Sequence, residues 1–223
     1  MGLRDAVVLA IVAASLPLAM LRPFFGLLVF SWLAYMRPND MAWTVNDYHP
    51  SLLVAVATVF GVVRSPDERF AVLEKRTFLL ALLLTTIGTA ALLAPDPVRS
   101  FHDGNLADLA KVLFIAVLTT GLVSTRDRAR WLLLVIAVSF GALALKSSVQ
   151  GVLRPADIQH GPGGSIRDNN DYGLALVMAI PLLAYLARDE RRPLLRAALA
   201  VMAVACVAGV LFTQSRGGVV ALG

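Results

Sequence analysis

Long apolar stretches alternate with short polar ones along the whole chain. The apolar runs fall at about 6–21, 24–36, 51–63, 77–94, 106–123, 131–145, 172–187 and 194–213, and a ninth begins at Gly217. Charge, Pro, Gly and Asn gather between the runs. Hydrocarbon offers no water to satisfy a peptide group, so a spanning segment is either a helix or a strand of a closed barrel. Barrel strands alternate polar and apolar residues, and no such alternation occurs here. The pattern therefore predicts an all-α integral membrane protein, a polytopic helical bundle of about eight spans plus the start of a ninth. The runs at 24–36 and 51–63 are short for a layer about 30 Å thick, which takes about 20 helical residues. Tilting, extension through Trp32, Tyr35, Trp43 and Tyr48 near the run ends, or a re-entrant path would each reconcile them. Pro17 and Pro181 lie inside runs and are expected to kink them.

Composition strengthens this class. The 223 residues are 58% hydrophobic, against roughly 45–50% in soluble domains, and the mean hydropathy is +0.74. The net charge of +5 is not a nucleic-acid signal, because no basic patch carries interleaved aromatics. Basic residues in a membrane protein collect in cytoplasmic loops for topological reasons. Cys206 is the single cysteine and lies in an apolar run, which excludes an internal disulfide and a thiolate metal cluster. Arg4 followed by an apolar segment looks like a signal peptide, but no small-residue cleavage site follows. It reads as a retained first span.

Lys and Arg then give an orientation. The loops after runs three, five and seven carry Arg64, Arg69, Lys75 and Arg76; Arg126, Arg128 and Arg130; and Arg188, Arg191, Arg192 and Arg196. Together they hold eleven of the twenty basic residues. These loops share one side, which the positive-inside rule makes cytoplasmic. The segments 37–50, 95–105, 146–171 and 214–217 then face the periplasm or the exterior. If runs one and two both span fully, the N-terminus is outside and Arg22–Pro23 inside; if run two is re-entrant, the N-terminus is cytoplasmic.

The outer segments mix both signs of charge with Asn, Gly and Pro. The longest, "KSSVQGVLRPADIQHGPGGSIRDNNDYG" at 146–173, holds Lys146, Arg154, Asp157, His160, Arg167, Asp168 and Asp171. Loops beyond about 12–15 residues are usually functional, and Arg167 is suited to a phosphate or carboxylate. Capping is the plainer reading of "DNND", since Asn169, Asn170 and Asp171 are good N-caps for the run beginning at Tyr172. His160 has no second histidine at ligand spacing, and Asp168 with Asp171 is two carboxylates without further ligands, so no metal is expected. In "APDPVRSFHDGNLADLAK" at 94–111, Asp96–Pro97 marks a turn and helix start. Asp108 and Lys111 are spaced for a local ion pair. Arg99 has no partner at helical spacing, and snorkelling to lipid head groups is its plain alternative. In "LFTQSRGGVVALG" at 211–223, Arg216 lies between two apolar runs. Gln214, Ser215, Gly217 and Gly218 predict a break or tight turn there. Arginine near a membrane faces protein, water or phosphate. Two readings stand: an anion site made of the guanidinium and exposed backbone N–H groups, or a polar hairpin whose arginine meets lipid phosphate.

"TQSRGG" at 213–218, following an apolar run, resembles the Ser-Arg-Gly signature of the O-antigen ligase family. "IRDNNDYGLALVMAIPLL" at 166–183 is similar to the Asn-rich start of that family's preceding span pair. "LRPFFGLLVFSWLAYMRPNDMAW" at 21–43 resembles a subgroup of O-glycosylation ligases associated with the exosortase A system. The resemblance implies a bacterial inner-membrane, multi-pass glycosyltransferase. Such an enzyme moves a glycan from undecaprenyl diphosphate to an acceptor on the periplasmic face, with no cofactor, no nucleotide sugar and no metal. Charge develops on the departing lipid diphosphate, where arginines would stabilise it. Arg216 matches the family arginine of the motif. Arg167, as a second catalytic candidate, and Arg99 rest on outer position and a looser likeness. Ser215, Gly217, Asn169, Asn170 and Lys146 complete the expected substrate-binding set. The family continues past this motif into a large periplasmic loop, bearing a histidine, and further spans. Residues 1–223 are thus expected to be the N-terminal multi-span part of such a ligase, of doubtful activity alone. The alternatives are an O-antigen polymerase using the same donor, a transporter or exporter of a lipid-linked or anionic substrate, and a non-catalytic membrane scaffold. Confinement of charge to run ends and the lack of an internal repeat count against the transporter.

Overall fold

The computed structural model describes residues 2–38, 48–65, 75–94, 96, 105–154, 157–163 and 166–222. Each of the eight apolar runs is a helix: α1 Leu3–Leu21, α2 Pro23–Met36, α3 Pro50–Arg64, α4 Lys75–Leu92, α5 Asn105–Leu122, α6 Arg126–Leu153, α7 Asn169–Asp189 and α8 Pro193–Phe212. A short α9, Arg216–Val220, follows. The starts follow local chemistry. Pro23, Pro50 and Pro193 open α2, α3 and α8, where the missing N–H costs nothing and φ is already helical. The Thr125 and Asp168 side chains cap α6 and α7 by accepting from Arg128 N and Asn170 N. The helix assignment runs unbroken through Pro17 and Pro181.

Among the described residues, α1, α6, α7 and α8 are long and apolar enough to cross a membrane. The apolar helices Pro23–Met36, Pro50–Arg64, Phe78–Leu92 and Val112–Leu122 are shorter. At about 1.5 Å per residue, α2 is about 21 Å long and α6 about 42 Å. The sequence pattern ends the sixth run at 145 and makes 146–173 a loop, but the helix continues to Leu153 and the next begins at Asn169. The polar residues of this extension are satisfied inside the bundle: the Ser147 hydroxyl donates to Leu143 O, and the Ser148 hydroxyl to Ala205 O of α8 at 2.9 Å.

Among the described residues the helices pack in two groups. In the C-terminal group, Phe140, Leu143 and Ala144 of α6 pack against Leu176 and Leu183 of α7 and Leu199, Cys206 and Val210 of α8. In the N-terminal group, Val8 and Val12 of α1, Phe30 and Leu33 of α2 and Val54 of α3 share a core. Small residues bring these helices close, as lipid-embedded packing requires. A Cβ on Gly61 would come 2.5 Å from Ala19 O and 2.9 Å from Met20 O.

The contacts fix the direction of each helix. The Arg128 guanidinium lies over the Phe24 ring at 5.2 Å, and farther along both helices Tyr35 meets Phe140 at 5.6 Å between ring centroids. Helices α2 and α6 therefore run parallel, and Arg22 lies at the end that carries Arg126, Arg128 and Arg130. Tyr35 is spent on this contact between helices. Helix α1 turns back into α2 at Arg22, with Gly26 set against Ala19. The start of α1 thus lies away from the basic end, toward Leu153, Asn169 and Phe212, whereas Met36, next to Tyr35, lies level with the middle of α6, about 20 Å short of Leu153. The packing puts Arg22 at the basic end, while α2 is among the shorter apolar helices and runs along only the first half of α6. Arg64 and Leu122 reach that end too, since Gly61 faces Ala19 and Met20, and Leu27, Val62, Leu118 and Leu122 form one cluster.

Candidate functional site

The chain turns sharply after α8. The Thr213 hydroxyl donates back to Val210 O at 2.7 Å, and its N–H to Gly209 O, closing the helix. Gln214 then takes a left-handed φ of 54°, a region that is uncommon for a residue with a side chain. Ser215 returns to extended backbone and caps α9, its hydroxyl accepting from Gly218 N at 3.1 Å. The break expected of "TQSRGG" is present, produced by Gln214 and Ser215; the glycines lie inside α9.

This turn is bound to the start of α7. Asn169 Nδ2 donates to Thr213 O at 3.0 Å, and the Ser215 hydroxyl donates to Asn170 Oδ1 at 2.9 Å. Gly173, one turn further along α7, faces the same place; a Cβ there would stand 3.1 Å from Thr213 Oγ1 and 3.2 Å from Ser215 Cβ. From the preceding loop, Gln159 N donates to Phe212 O at 3.1 Å. Below, the Tyr172 phenol is hydrogen-bonded to the Ser147 hydroxyl, linking α7 to α6. Thr213, Ser215 and Tyr172 are buried in this network.

Capping therefore explains only part of "DNND". Asp168, not Asn169, Asn170 or Asp171, caps α7, and α7 begins three residues before Tyr172. The side chains of Asn169 and Asn170 reach across to the turn after α8 instead.

The candidate residues separate into three groups. Ser215, Asn169 and Asn170 are brought together. Arg216 is the first residue of α9 and exposed, Gly217 beside it has open space where a side chain would be, and the Arg216 side chain has no hydrogen bond or ion pair among the described residues. Lys146 is exposed within α6, and Arg167 is exposed just before α7; no hydrogen bond joins either to the turn among the described residues. Arg99, with His102 and Asp103, lies outside the described residues, as do the side chains of Asp108 and Lys111. The anion site expected of backbone N–H groups is reduced, because the Gly218 N–H is held by Ser215. The guanidinium of Arg216 is the group left facing outward.

Thr213, Gly173, Tyr172 and Ser147 belong to this corner and do not stand out as site residues in the sequence. The signal available was weak: a polar pair, Ser147 and Tyr172, at facing ends of two apolar runs.

Apolar helices packed in two groups, with polar side chains concentrated at their ends, define a multi-pass α-helical membrane protein. Residues 3–164, well over half of the chain, match a protein family described as a family of unknown function, DUF5935, and the chain belongs to it. The match stops before α7, so the corner built by Asn169, Asn170 and the turn after α8 lies beyond it. No curated protein and no solved structure matches the chain.

Proposed function

We propose that this protein is a membrane glycosyltransferase of the O-antigen ligase type, with its active face at the end opposite the basic loops. The observation that carries the reading is the turn at 213–215, held by Asn169 and Asn170 while Arg216 stands exposed and unpaired among the described residues. Arginine in that setting is suited to a diphosphate. In the proposed reaction an acceptor hydroxyl oxygen bonds the anomeric carbon of a glycan, and the bond from that carbon to undecaprenyl diphosphate breaks. The diphosphate leaves with the electron pair, the acceptor's hydroxyl proton passes to water, and Arg216 stabilises the charge the diphosphate gathers. Asn169, Asn170 and Ser215 act by positioning the turn; Arg167, at the same end, is the second candidate for the lipid diphosphate. On the positive-inside rule the basic end is cytoplasmic and the active face periplasmic, in a bacterial inner membrane.

The test uses membranes of cells expressing the gene that encodes this chain, together with any frame that continues it. Glycan transfer from an undecaprenyl-diphosphate donor is measured for the wild type and for Arg216→Ala. Loss of one charge-stabilising donor is expected to lower transfer on the order of 10²–10³-fold. Undiminished transfer by Arg216→Ala removes Arg216 from the mechanism, and absence of transfer by the wild type with a competent donor and acceptor removes the ligase reading. Transfer onto a second lipid-linked glycan in place of another acceptor marks a polymerase.

A further inference from the structure

At the basic end, the connection between α7 and α8 carries charge that its own acidic residues do not balance. Asp189 and Glu190 are both engaged by Arg130 of α6, at 3.0 and 3.2 Å. Arg188 and Arg196 have no ion pair among the described residues, and both are exposed. They line a groove of about 510 Å³ that opens to the surface between the last turn of α7 and the first two turns of α8. The rest of its lining is Ala187, Pro193, Ala197 and Ala200. Pro193, Arg196, Ala197 and Ala200 are spaced i, i+3, i+4 and i+7, so they form one face of α8. Every apolar side chain of the lining is small, which is what leaves the space open. Leu194, next to Pro193, is 86% exposed, as expected of a side chain turned toward lipid.

We propose that this groove seats an anionic phospholipid from the leaflet at the basic end. The headgroup phosphate binds Arg188 and Arg196, and an acyl chain lies along the alanine strip of α8. Charge complementarity selects this occupant. The groove lies where two apolar helices emerge from the hydrocarbon, and unpaired arginines at that depth meet headgroup phosphates. An apolar strip leading away from two cations matches the two halves of such a lipid. The site is at the end opposite Arg216 and does not depend on the glycan-transfer reading.

Native mass spectrometry of the purified chain, titrated separately with phosphatidylglycerol and phosphatidylcholine, tests the proposal. The wild type is expected to retain phosphatidylglycerol in preference to phosphatidylcholine. The double variant Arg188→Gln/Arg196→Gln is expected to weaken that binding about thirtyfold, given the usual contribution of a basic residue at an anionic surface. Ala200→Trp keeps both charges and fills the groove, so it is expected to lose the bound lipid as well. Arg154→Gln, at the other end of the molecule, is expected to leave the preference unchanged. Circular dichroism verifies the helicity of each variant, and the two groove variants fail independently of one another. Equal retention of phosphatidylglycerol by the double variant overturns the site. So does retention by Ala200→Trp, and so does displacement of the lipid by millimolar inorganic phosphate, which would mark a site for soluble anions.

Discussion

Ser215 joins three parts of the chain although its own side chain is a single hydroxyl. It donates to Asn170 Oδ1, accepts from Gly218 N, and is itself buried. Ser215→Ala removes a helix cap and a hydrogen bond between helices together. The expected cost is about 1–2 kcal/mol, read from unfolding in detergent, and Asn170→Ala should cost less because Asn170 is exposed. A double-mutant cycle on the pair should show coupling, whereas additive losses would mean that the bond contributes nothing. Glu190 supplies a second residue-scale expectation. The N–H of Arg192 donates to its carboxylate, and Arg130 lies beside it; both hold its pKa below the ordinary 4.5. A depressed carboxylate contributes stability above its unfolded pKa and loses it as pH falls through the folded one. Acid unfolding of Glu190→Gln should therefore lack the part of the pH dependence that lies below about 4.5. At this scale the sequence was least informative. That a cap would precede the seventh run was legible, but Asn169 and Asn170 bond residues more than forty positions away, and no local pattern encodes such a pairing.

At the scale of elements, apolar runs and helices agree because lipid permits few alternatives: a segment without water must hydrogen-bond to itself. The disagreements arise where polar residues are satisfied by protein. Lys146, Ser147, Ser148 and Gln150 end a hydropathy run, yet Ser147 and Ser148 find partners in Tyr172 and α8, so α6 goes on for two further turns. Close crossings are a second property of the elements. Gly61 of α3 lies against the carbonyl oxygens of Ala19 and Met20 at the end of α1. Backbone atoms cannot rotate away as a long side chain can, so Gly61→Ala must move one helix. A loss of about 1–3 kcal/mol is expected, visible as a lowered midpoint in detergent unfolding. An unchanged midpoint would mean that the two helices part freely.

For the whole molecule, helix directions make a statement about sides that charge counting alone left open. With Cys206 replaced by Ala, single cysteines introduced at Gly2 and Gly217 should label from the same side of intact membranes with an impermeant maleimide. One introduced at Arg191 should label from the other side. Labelling of Gly2 and Gly217 from opposite faces would contradict the parallel course of α2 and α6. That parallel pairing also has a consequence for synthesis. Phe24 and its partner Arg128 are separated by roughly a hundred residues, and a ribosome adding about 5–20 residues per second reaches one roughly 5–20 s after the other. During that interval the face of α2 destined for α6 is covered by lipid or by an insertion factor. The first helices therefore wait in the bilayer as a half-built assembly until α6 arrives to cover that face.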